Sequence, residues 1–177
     1  MAAFDPQTAF FDDPDWQLLQ NSHVHLYWQE DVLADALLLF TNHGYRTHNF
    51  DAREWSADSD MLVALGNALS FPDYYGRNLD ALNDCLGDVA SYSYGASAAD
   101  RGTLLAVRRY DSFTQRSPRT AQVLLDIFAT QARTAALLGH RMLLLIQTTD
   151  PRAQYGPVGG TPVMWNPREW LNGARGL

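Results

Sequence analysis

Within about thirty residues near its start, this chain alternates from strand to helix to strand, and that order constrains the fold more than any other feature. His23-Val-His-Leu-Tyr-Trp28 alternates apolar and polar residues at period two, the pattern of a strand. Glu30 to His43 places Val32, Leu33, Ala36, Leu37 and Phe40 on one helical face, and Gly44 follows as a natural C′ residue. Tyr45 to Asp51 reads as a second strand. Two strands joined by a helix are expected to pair in parallel through a right-handed crossover. The chain is therefore expected to be α/β.

The later segments extend the pattern. Asp58 or Ser59 can cap a helix running to Leu69, with Met61, Leu62, Leu65 and Leu69 inward. Gly102 to Arg108 is a third strand, and Tyr110 to Arg116 a short helical turn. Ser117 caps a long helix with Pro118 at its first position. Its apolar face carries Val123, Leu124, Ile127, Phe128, Ala135 and Leu138, and Gly139 ends it. Met142 to Gln147 is a continuous apolar run, as in a strand buried on both faces. The expected fold is a small, mainly parallel sheet of three to four strands flanked by helices. Residues 1–20 read as an irregular leader pinned by Trp16 and Leu18-Leu19. Residues 151–177, with Pro151, Pro157, Pro162 and Pro167, read as a Pro/Gly-rich tail that Trp165 and Trp170 tuck onto the body. No repeat and no interdomain linker is visible, so 1–177 is expected to be one domain.

The chemistry concentrates in Phe71-Pro-Asp-Tyr-Tyr-Gly-Arg-Asn-Leu-Asp-Ala-Leu-Asn-Asp-Cys-Leu86. Pro72 and Gly76 bracket a turn in which Gly76 can take a positive φ. Asn78 is suited to accept an amide of the first helical turn as N-cap. Leu79, Leu82, Leu86 and Val89 form an apolar stripe, and Cys85 lies toward it as inert packing. Asp80, Asn83, Asp84 and Asp88 lie on the other side. Asp80, Asp84 and Asp88 are four apart, so their like charges destabilise the helix by roughly 0.2–0.5 kcal/mol per pair. Such a face is either a solvated surface or a surface that awaits a cationic partner.

Fifteen consecutive positions, Pro72 to Leu86, resemble the recognition segment of the barstar family, the intracellular inhibitors of barnase-like ribonucleases. Tyr-Tyr-Gly, Asn-Leu-Asp-Ala-Leu and Asp-Cys-Leu all fall in register. A weaker likeness runs from about 45 to 150. The resemblance implies a barstar-like fold, with the strand and helix before residue 45 and the tail after 150 as additions. It implies a non-enzymatic inhibitor that works without a cofactor. Asp84 would sit in the ribonuclease phosphate site, Asp80 would contact the enzyme nearby, and Tyr74 would pack on a catalytic histidine. Gly76 and Asn78 would fix the turn and cap that aim them. The family's type member has tryptophan at the position of Asn83 and glutamate at that of Arg77. The first change removes an aromatic anchor from the binding face, and the second weakens its negative potential. Tyr92 and Tyr94, in a Tyr/Ser/Gly loop of adaptable composition, are expected to supply replacement contacts if that loop lies beside the helix.

Charge fits this expectation. The formal net charge is −7 and the pI about 5.0, which suits a basic protein partner and argues against direct nucleic-acid binding. No apolar run reaches the roughly 20 residues of a membrane span. One cysteine forms no internal disulfide, and Asp5, Asp12 and Asp13 are unlike a secretion signal, so a cytoplasmic monomer forming a 1:1 complex is expected. Asp80 and Asp84 could also ligate Mg²⁺ in a metal-dependent hydrolase, and His23 and His25 could take zinc, but neither pair has further ligands nearby. An immunity protein of the same fold, directed at a different toxin, is the other alternative.

Overall fold

Residues 4, 5, 7 and 13–177 are described by a computed structural model. Five strands form one all-parallel sheet in the order β2-β3-β4-β1-β5. They are β1 Val24–Tyr27, β2 Tyr45–Asp51, β3 Gly102–Arg108, β4 Met142–Gln147 and β5 Met164–Trp165. The sheet has more strands than the three to four expected, because the tail contributes β5. Of the leader, Pro14–Leu19 is a helix, α1, with Pro14 at its first position. The rest of the expectation for 1–12 falls largely outside the described residues.

The expected pairing of β1 with β2 is corrected: β4 and β3 lie between them. Burial explains the order. β1, β3 and β4 are buried along almost their whole length, β1 with Val24 and Leu26 on one face and His25 and Tyr27 on the other, so they need neighbours on each side. β2 carries Arg46, Thr47, His48 and Asn49 and is only partly buried, which suits an edge. β1 instead pairs with β4, Val24 opposite Leu144 and Leu26 opposite Ile146.

Helices cover both faces. Helix α2, Glu30–Asn42, lays Val32, Leu33, Leu37 and Phe40 on Leu104, Ala106, Leu143 and Leu145, with Leu18 of α1 beside them. The other face carries Leu105, Val107, Leu144 and Ile146. Against it pack α3 Asp58–Ala68, α4 Leu79–Ala90, α5 Tyr110–Arg116 and α6 Pro118–Leu137. Period two along β3 thus feeds alternate residues into two cores. At the head of β3 only glycine fits: a Cβ on Gly102 would lie 2.4 Å from the Tyr45 ring and 2.5 Å from the Arg141 carbonyl oxygen.

Buried polar groups lock the two ends of the sheet. At the amino ends, the fully buried Asp15 carboxylate accepts from Tyr45 Oη at 2.7 Å, Arg101 Nε at 3.0 Å and Arg141 Nη1 at 2.7 Å. Burial alone would raise its pKa, but the Arg101 and Tyr45 hydrogen bonds and the two arginine charges hold it below the usual value. At the carboxyl ends, buried Gln147 joins three chain segments. Its Oε1 accepts from the Arg109 amide at 2.9 Å, and its Nε2 donates to the Trp28 and Thr148 carbonyls at 3.0 Å each. Arg109 itself sits at φ 52°, in the left-handed region. Gln147→Leu leaves that amide and the Trp28 carbonyl unpaired and is expected to cost about 2 kcal/mol in chemical denaturation; a loss below about 0.5 kcal/mol would contradict this stitching role.

Candidate functional site

The turn and α4 form as their residues dictate. The Tyr75 amide donates to the Pro72 carbonyl at 2.9 Å. Tyr75 turns inward, edge-on to Phe71 with centroids 4.9 Å apart, and lies against Gly66 of α3. Its neighbour Tyr74 is left 79% exposed. Gly76 does not take the positive φ expected of it; Arg77 does, at 50°. Asn78 Oδ1 accepts from the Ala81 amide at 2.8 Å, the expected N-cap bond. Leu82, Cys85, Leu86, Val89 and Ala90 are buried, so the helix is fixed along one side and presents the other.

That other side is less uniform than the sequence suggests. Asp80 and Asp84 are exposed, and neither carboxylate has a hydrogen-bond or ion-pair partner among the described residues. Asp80 lies in the first turn, where the helix dipole favours it. Asp88 is engaged: Tyr94 Oη donates to its Oδ2 at 3.0 Å. Asn83 is engaged too, its Oδ1 accepting from Gln131 Nε2 of α6 at 2.9 Å. Two free carboxylates one turn apart therefore remain, with Tyr74 at the turn that precedes them.

The two loop tyrosines separate. Tyr94 stands edge-on to Phe71 at 5.8 Å and ends the acidic line through its bond to Asp88. Burial, reinforced by that bond, pushes its hydroxyl pKa up. Tyr92 follows the far end of α4 and stacks on His140, with centroids 4.3 Å apart and planes 25° apart. The structure places it with the segment leading into β4, away from Asp80 at the start of the helix.

A groove along α4 is the part of the site that sequence reasoning missed. It holds about 550 Å³. Leu79, Asp80 and Asp84 line one wall; Arg119, Val123 and Ile127 of α6 line the other. Val123 and Ile127 were legible as an i,i+4 apolar pair but are only half-buried, because they face the groove. Among the described residues no group of three or more His, Cys, Asp or Glu side chains converges as a metal site would require. His25 is committed instead to the Ser22 and Leu18 carbonyls. No helix among the described residues is long and apolar enough to cross a membrane.

The sequence profile described as Barstar (barnase inhibitor) matches residues 45–147. The chain belongs to the barstar family. The barstar match takes in β2, β3, β4 and helices α3 to α6, including the whole of the turn and α4. The strand–helix unit β1–α2 and the segment carrying β5 lie outside it, and they extend the barstar sheet from its β4 side. A curated relative, "Putative ribonuclease inhibitor YrdF" of Bacillus subtilis (strain 168), is 53% identical over 36 residues. That match covers 20% of this chain and 40% of the relative's length. Among solved structures, a chain in "Structure of Drosophila ORC bound to DNA" has a TM-score of 0.51 at 17% identity, over 80% of this chain and 35% of that one. The likeness shows a shared arrangement of sheet and helices.

Proposed function

We propose that this chain acts as one unit, a protein inhibitor that binds and blocks the active site of a basic, barnase-like ribonuclease in a 1:1 complex, within the cell that makes it. The observation that carries the reading is the pair Asp80 and Asp84: exposed, unpaired among the described residues, and held one turn apart on a capped helix, with exposed Tyr74 in the turn before it. A ribonuclease holds its substrate phosphate with cations. A carboxylate fixed on a rigid helix can occupy that phosphate position, and its site is already formed before binding. Asp84 serves as the phosphate mimic, Asp80 as a second charged contact, and Tyr74 as an aromatic cover. Gly76 and Asn78 set the aim. The inhibitor needs no cofactor, no metal, no nucleic acid and no membrane. A net charge of −7 speeds its encounter with a basic enzyme.

The test is titration of a barnase-type ribonuclease with this protein. Inhibition is expected to reach completion at one equivalent. Asp80→Ala/Asp84→Ala is expected to weaken it by a hundredfold or more, a scale known from charge pairs in the barnase–barstar complex of this same family. Inhibition that survives the double substitution would remove the phosphate-mimic role. No inhibition by the parent would favour a second reading, an immunity protein against a different toxin. One feature supports that alternative: Asn83, where the type member has its aromatic, is tied down to Gln131 and projects no anchor.

A further inference from the structure

Arg119 is the cation that lines this groove beside Asp80 and Asp84. Arg46, Arg53, Arg101, Arg109, Arg141 and Arg168 each pair with a carboxylate. Arg119 has no hydrogen-bond or ion-pair partner among the described residues. It lies in the first turn of α6, next to Pro118. There the positive end of the helix dipole disfavours a cation, and α6 has no acidic residue in that turn to offset it. Its neighbour Thr120 does structural work, donating to Asp58 Oδ2 at 2.6 Å; Arg119 points instead into the cleft.

The same cleft holds Asp80 and Asp84. A partner surface entering it meets all three charged side chains. Yet Arg119 forms no ion pair with either aspartate, so its donors remain available to the partner. The groove thus offers two anions on one wall and one cation on the other. Its complement is a surface whose cations are bordered by a carboxylate. A uniformly basic surface gains from the aspartates and is repelled by Arg119.

We propose that Arg119 is a specificity-determining residue of the α4–α6 groove, selecting a protein partner that sets an acidic side chain beside the cations that meet Asp80 and Asp84. The inference rests on the inhibitor reading for the identity of the site, but its test does not require a ribonuclease. Two peptides serve as probes, one of arginine alone and one alternating arginine with glutamate. Each is titrated into the parent and into Arg119→Gln, with the amide shifts of Asp84 and Thr120 as readout at low salt. Arg119→Gln is expected to tighten the arginine peptide and weaken the alternating one, each by about two- to fivefold, the scale of an exposed ion pair. A change of net charge alone would tighten the first and leave the second unmoved. Alternating-peptide binding that is unchanged or tightened by Arg119→Gln would overturn the proposal. Failure of the inhibitor reading shows separately, as absence of ribonuclease inhibition by the parent.

Discussion

Glu169→Ala is expected to lower stability by about 3–5 kcal/mol and to free the C-terminal segment from the sheet, because it removes a buried carboxylate whose donors then have no acceptor. Glu169 is 2% exposed. Its Oε2 accepts from the Trp28 amide at 2.8 Å and from Asn166 Nδ2 at 2.6 Å, and its Oε1 from the Gln29 amide at 2.9 Å. Gln29 is the N-cap of α2 and makes no side-chain cap bond of its own, so the cap comes from a residue 140 positions later. Asn166 also donates from its backbone and its side chain to the Leu26 carbonyl, at 3.0 Å and 2.9 Å. Arg175 secures the far end of the segment. It donates to the carbonyls of Glu169, Trp170 and Pro151 and lies 4.3 Å from the Trp165 ring centroid. Chemical denaturation and limited proteolysis within 151–177 read the two effects. A loss below 1 kcal/mol with the segment still protected would show that β5 and the Arg175 cage suffice without the carboxylate.

The adjacent strands β4 and β1 send the chain in opposite directions, β1 toward the β2 edge and β4 toward the β5 edge. Sheets of this kind bind ligands at such a point, and a helix N-terminus there suits phosphate. In this chain that place is taken by its own carboxylate. The exposed Asp80 and Asp84 lie elsewhere, on α4, without a protein partner among the described residues.

The sequence shows some of these features plainly and conceals others. Helices α4 and α6 follow from their helical apolar periodicity, and strands β3 and β4 from short continuous apolar runs of strand length. Asn78 was legible because its cap bond is local. Other caps were not. At α3 the N-cap is Ala57, and the Asp60 carboxylate takes the Ser56 and Ala57 amides. Asp58, read from sequence as a cap, is used by Thr120 instead. Ser117 occupies the N-cap position of α6 without a side-chain cap bond. Strand order was hidden because it depends on which strands need two neighbours, not on which are close in sequence. Two-residue β5 has no pattern of its own and exists only as a ladder on His25 and Leu26. In the candidate site, Tyr74, Asp80 and Asp84 were legible from one contiguous segment. The Asn83–Gln131 bond and the place of Arg119 were not, since both depend on α6 lying against α4.

Acidification from pH 6.5 to 4 is expected to remove about 3 kcal/mol of stability, mainly through His25. That ring is 2% exposed. Its Nε2 lies 2.9 Å from the Ser22 carbonyl and 3.2 Å from that of Leu18, so Nε2 carries the proton and donates. Nδ1 has no partner among the described residues, and a second proton there would be buried without an acceptor. Burial pushes the pKa from 6.5 to about 4, against the two carbonyl bonds and with a small contribution from His23. Because the folded-state pKa is depressed, the unfolded chain binds more protons between these values. Stability is therefore complete above pH 6.5 and falls as pH drops toward 4. His23, His48 and His140 are also shifted down, each mainly by burial, and act in the same direction. Asp15 and Asp51 come into play only at lower pH. Arginines hold both below the ordinary carboxylate value, so their contribution begins to fall once pH drops below about 3.8. Denaturation midpoints across the range, with the histidine ring resonances followed by NMR, separate the two groups. A His25 ring that titrates near 6.5, or stability that stays flat down to pH 4.5, would rule out the buried-histidine origin. His25→Gln cannot take up that proton and is expected to flatten the slope between pH 6.5 and 4, even if the substitution lowers stability at neutral pH.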